Sequence, residues 1–115
     1  MKTYTGQTGY VYQYYFVGKR EALPEAPEAP ASEFIFDVTS DRKVMFAVSV
    51  FVRQRALAEW QQVHGRPLTE SEQYAAAKMR LFQAFDEVEK MQENGRRLAI
   101  ENAEIGPLLS QLGVE

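Results

Sequence analysis

The chain has 115 residues, 45% of them apolar and 25% charged, with a net charge of −3, one histidine and no cysteine. That length buries roughly two thirds of the unfolded surface and suits one domain needing neither disulfide nor metal. The acidic balance gives no long-range attraction to nucleic acid or anionic lipid, and the absence of cysteine removes thiolate nucleophiles and Cys-ligated zinc. The longest apolar run, residues 44–52, is far short of the ~20 residues a membrane helix needs. No apolar run follows Lys2, so the expectation is a cytoplasmic protein without a secretory signal and without a membrane partner.

Gly6 and Gly9 bracket a lead-in that reads as flexible. Residues 10–17 are aromatic and β-branched and stop at Gly18, which predicts a first strand. Tyr10, Tyr12, Tyr14 and Phe16 share one face; Val11, Gln13, Tyr15 and Val17 share the other. Residues 21–32 form a Pro/Glu/Ala-rich internal loop, whose prolines 24, 27 and 30 at three-residue spacing predict an extended, solvated conformation. Such a loop is long for a compact domain, and loops of this kind are often functional or order on binding.

Residues 33–39 predict a second strand with Phe34, Phe36 and Val38 inward, and Ser40-Asp41-Arg42 a hairpin turn. Residues 43–52 predict a third, with Val44, Phe46, Val48, Val50 and Val52 on one face. Its other face (Met45, Ala47, Ser49, Phe51) is also mostly apolar, as in a central or doubly covered strand. The rival reading is a long helix starting after Asp41; the β-branched and aromatic content favours the strand.

From Arg53 the period becomes helical. Ala56, Leu57, Trp60 and Val63 mark a helix that Gly65 caps and Pro67 stops. Thr69 and Glu72 have the spacing of a capping box, opening a helix with Tyr74, Ala77, Leu81, Phe85 and Val88 on one stripe and Phe82 beside it. Asn94-Gly95 ends or weakens it. A shorter helix over 98–104 follows, then a break at Gly106-Pro107 and a last apolar turn with Leu108, Leu109 and Leu112. The predicted fold is α+β: a three-stranded antiparallel sheet followed by two main helices on one face (β-β-β-α-α) and a short C-terminal helix.

No segment carries a catalytic, metal or nucleotide signature, so no cofactor or metal is expected. His64 has no second histidine or acid at ligand spacing and reads as a helix-end residue that bonds the last carbonyls. Asp86, Glu87, Glu89 and Glu93, interleaved with Lys90 and Arg97, read as a solvated face. The Tyr-rich strand carries the leading functional expectation. Tyr10, Tyr12 and Tyr14 cannot all satisfy their hydroxyls in a dry core, Tyr15 adds to the other face, and a meander leaves their strand at the edge. That predicts a non-enzymatic protein-interaction module that self-associates or binds another protein through this edge and an exposed sheet face. One alternative is a small nucleic-acid-binding regulator using Lys19, Arg20, Arg53 and Arg55, which a meander gathers at one end of the sheet. Against it, Glu21, Glu25, Glu28 and Glu33 crowd the same end. The other is an enzyme whose groups (Asp37, His64 or tyrosines) only the fold would assemble.

Overall fold

A computed structural model describes residues 1–7 and 9–115. In chain order the elements are β1 (Lys2–Thr5), β2 (Val11–Glu21), β3 (Ala31–Thr39), β4 (Phe46–Arg53), α1 (Gln54–His64), α2 (Glu70–Glu87), α3 (Met91–Asn94), β5 (Arg97–Ile100) and α4 (Asn102–Ser110). The strands form one sheet in the order β1-β2-β3-β4-β5, antiparallel from β1 to β4 and parallel between β4 and β5. The α+β class agrees with the sequence reading. The sheet is larger, and mixed.

Two strands were not expected. Lys2–Thr5, in the lead-in that reads as flexible, is a strand because β2 offers it an edge and α2 offers Tyr4 a stacking partner, Phe82, with ring centroids 4.4 Å apart. Residues 97–100, where a helix was expected from 98, are β5: Leu98 and Ile100 are buried while Arg97 is exposed. Four residues are too few for periodicity to separate the two states, and the parallel partner is reached only through the α1–α3 crossover. The final helix is likewise longer than expected. It runs through Gly106-Pro107, opened by a Glu101–Glu104 capping box and held by buried Ile105, Leu108 and Leu109.

Elsewhere the periodicities give the elements with shifted ends: β2 runs through Gly18, the expected stop, to Glu21, and β4 begins at Phe46, which leaves Val44 exposed outside the strand it was expected to join. Phe46, Val48, Val50 and Val52 are buried along β4, and Phe34, Phe36 and Val38 along β3. The rival helix after Asp41 does not form. Instead Asp41 accepts hydrogen bonds from the backbone N–H of Lys43 (2.8 Å) and Val44 (3.0 Å), which turns the chain into β4. Gly65 adopts the left-handed conformation (φ 75°) that ends α1, and both halves of the Thr69–Glu72 box are formed. Ala77, Leu81 and Phe85 of α2 are buried in the core, but α2 ends at Glu87 instead of reaching Asn94.

The loop after β2 is not extended. The backbone N–H of Ala26 donates to Leu23 and that of Ala29 to Ala26, which makes two successive tight turns. Each has proline as its second residue, the position that the fixed φ of proline favours.

Candidate interaction surface

The helices cover one face of the sheet, so alternation along β2 decides which aromatics stay available. Tyr12 and Tyr14 face α2 and are each 4% exposed; Tyr12 stacks on Phe85 at 4.2 Å, and Tyr14 meets Phe82 edge-on at 5.5 Å. This corrects the expected aromatic surface: two of its four tyrosines are core, because a ring stacked under a helix buries its body while its hydroxyl lies at the seam. Burial first, then Tyr10 for Tyr12 and Tyr74 for Tyr14, raises both phenol pKa values. Tyr10 and Tyr15 remain exposed. Tyr15 lies on the open face and donates to Asp37 (2.7 Å). Tyr4 donates to Asp86 (2.7 Å), and that bond, with burial, pushes its pKa up to about 12.

The edge itself is also moved. β1 covers β2 only from Val11 to Tyr14, where Lys2 is the last partner. Among the described residues no strand pairs with the outer edge of residues 15–21. Phe16 and Val17 on this stretch are exposed. A register shift between Phe16 and Gly18 marks a bulge, which puts Lys19 on the covered face opposite Phe34 and Arg20 on the open face opposite Glu33. Gly18 interrupting a strand pattern is the sequence signal that could have located it.

Beneath the free edge, between β2 and the first turns of α2, lies a groove of about 350 Å³ lined by Phe16, Lys19, Phe34, Glu70, Ser71 and Tyr74. Phe16 meets Tyr74 edge-on at 4.9 Å, and Lys19 reaches Glu70 at 3.5 Å across the rim. The groove is thus aromatic inside and charged at its lip. Sequence reasoning placed Phe16 on the strand but missed Tyr74 and Phe34 as its neighbours, because α2 and β3 meet β2 only in the fold.

The open face carries a polar network. Glu33, on a central strand and 5% exposed, accepts from Arg20 Nε (2.9 Å) and Ser49 Oγ (2.6 Å). Burial alone would raise its pKa; Arg20 and Ser49, with Arg97 nearby, outweigh that and hold it below the usual carboxylate range. Arg97 lies over the Phe51 ring at 4.7 Å and binds Glu28 of the Pro/Glu loop through Nε (3.2 Å) and Nη2 (2.5 Å). The loop is therefore strapped to the end of the sheet, where Arg53 also donates to the Pro27 carbonyl (3.1 Å).

The four cations of the nucleic-acid reading do gather at this end, but acids meet three of them. Lys19 pairs with Glu70, Arg20 with Glu33 and Arg53 with Glu101. Arg55 is the one without an ion pair among the described residues. His64 lies on α1, stacked on Trp60, with Nδ1 3.0 Å from the Trp60 carbonyl oxygen. Asp37 is engaged by Tyr15, so neither group is joined to the other. The acidic run borders a cavity of about 600 Å³ with Tyr10 and Lys90. No group of three or more His, Asp or Glu side chains is placed to hold a metal ion among the described residues, and no described helix is long and apolar enough to cross a membrane.

The site and fold define an α+β protein with an open-faced mixed sheet and one partly unpaired edge. Comparison with family models, curated proteins and solved structures gives no match.

Proposed function

We propose that this chain is a non-enzymatic protein-interaction module that takes an extended segment of a protein partner along the outer edge of β2. One observation carries the reading: β1 pairs with β2 only as far as Tyr14, so among the described residues the outer edge of residues 15–21 has no strand partner, directly above the Phe16–Phe34–Tyr74 groove. An unpaired edge supplies backbone donors and acceptors, and a neighbouring apolar groove selects every second side chain of the added strand. β1 supports it as a built-in example. It is a short strand held on the same edge by an aromatic residue, Tyr4, pointing between sheet and helix.

Selection from a random peptide display library tests the proposal. The expected binders are extended sequences with a large apolar residue for the groove. Phe16→Asp and Val17→Asp remove binding, with circular dichroism and melting temperature retained, while Tyr10→Ser leaves it intact. Binding that survives both edge substitutions in a folded chain rules the edge out.

A further inference from the structure

We infer that the segment this edge accepts is the same edge of a second copy, joining two sheets antiparallel across a two-fold axis that passes between Val17 and Gly18. This rests on the edge reading above and names its partner. A two-fold interface must be self-complementary, since each residue meets its partner twice.

The faces of β2 set the register. Phe16 and Lys19 are on the covered face; Tyr15 and Arg20 are on the open face, because the bulge shifts the alternation between them. Side chains directly opposite each other share a face, so a register that keeps both sheets' helices on one side sets Phe16 against Lys19 and Tyr15 against Arg20. The two bulges then meet on the axis, and the irregularity of one strand is matched by that of the other. No like charges stand opposite one another. Each cation faces an aromatic ring, a favourable pairing, and Phe16 of each copy is delivered to the Lys19–Glu70 lip of the other's groove.

The ends of the paired stretch are complementary too. Glu21 ends β2 on the covered face and forms no ion pair among the described residues. In the joined sheets the ladder ends at Arg20, because Lys2 already holds the place opposite the other copy's Tyr14; Glu21 comes next and turns aside, its carboxylate toward that Lys2. Lys2 forms no ion pair among the described residues, and a second cation, Lys78, feels its charge: burial first and then Lys2 lower the Lys78 pKa. A carboxylate brought to that spot relieves the repulsion. Within one chain the contact is impossible. Lys2 pairs with Tyr14, and Glu21 lies seven residues further along β2, about 23 Å at ~3.3 Å per residue.

The paired stretch is shorter than a standard interface of roughly 800 Å² per partner, so the dimer is weak and dissociates on dilution. Sedimentation equilibrium or light scattering over a dilution series of the full chain tests it. The expected result is a mass that rises from 13.2 kDa toward twice that value. Glu21→Lys and Lys2→Glu each weaken association about tenfold, the contact being made twice by symmetry, and the combined variant restores it. A chain that stays monomeric to millimolar concentration overturns the dimer, while peptide binding that Phe16→Asp abolishes would still uphold the edge. A dimer indifferent to the charge exchange overturns this register. A dimer that also survives Phe16→Asp and Val17→Asp forms elsewhere and overturns the joining of copies through this edge, while peptide binding decides the edge reading itself.

Discussion

Thr69 and Glu72 show how much one local signal can hold. The Thr69 hydroxyl accepts from the Glu72 N–H, and the Glu72 carboxylate accepts in return from the Thr69 N–H (2.9 Å). Arg66 adds two bonds to the same carboxylate, both 2.9 Å. Thr69→Ala should cost about 1 kcal/mol, the usual loss for an N-cap, measurable by urea denaturation. Arg66 first, then the Thr69 N–H, lowers the Glu72 pKa to about 2 from an ordinary 4.5. A carboxyl whose folded pKa is depressed stabilises the fold above its unfolded value, and that stability is lost as pH falls toward the folded one. Melting temperature should therefore drop between about pH 5 and pH 2, and Glu72→Gln should make that drop shallower. Glu33 is a different case, since it is buried and bonded on a central strand. Removing it with Glu33→Ala leaves the Ser49 hydroxyl and Arg20 without their acceptor, and about 2 kcal/mol of stability should go with it.

At the scale of elements, α2 is the hub. Its Phe82 and Phe85 receive Tyr4 from β1 and Tyr12 and Tyr14 from β2. Phe85→Ala opens a cavity under three aromatic rings and should cost about 3–5 kcal/mol in denaturant unfolding. Tyr4→Ala is milder for the whole but decisive for β1, a four-residue strand with one inward ring. It should release β1 and lengthen the free edge of β2 back to Val11. Hydrogen exchange would read this as faster exchange in β1 and on the outer edge of residues 11–14. Unchanged protection there would show that backbone pairing alone holds β1.

For the whole molecule, protection should follow distance from the edges. β3 and β4 are central and hold the most deeply buried side chains, including Phe36, Val38, Val48 and Val50, all at 0% exposure. Their amides should exchange only through global opening, whereas β1 and the outer edge of β2 should exchange locally. If a second copy occupies that edge, the outward amides of residues 15–20 should gain protection as concentration rises, with β3 and β4 unchanged. A uniform gain would point to non-specific association.

The β2–β3–β4 meander, the two main helices and their caps are legible in the chain because those features rest on local forces. Alternation over seven or more residues, a left-handed glycine and a reciprocal capping pair each declare themselves within a few positions. The turns of the 22–30 loop were written there too, in the recurring proline that reads equally as an extended segment. Folding had to settle β1 and β5, whose four residues become strands when a neighbour supplies the other half of each ladder. It also decided the candidate site. Tyr12 and Tyr14 became core and Phe16, Val17 and Lys19 became the free edge according to which face α2 covers, where β1 stops and where β2 bulges, and those are long-range contacts that no local pattern encodes.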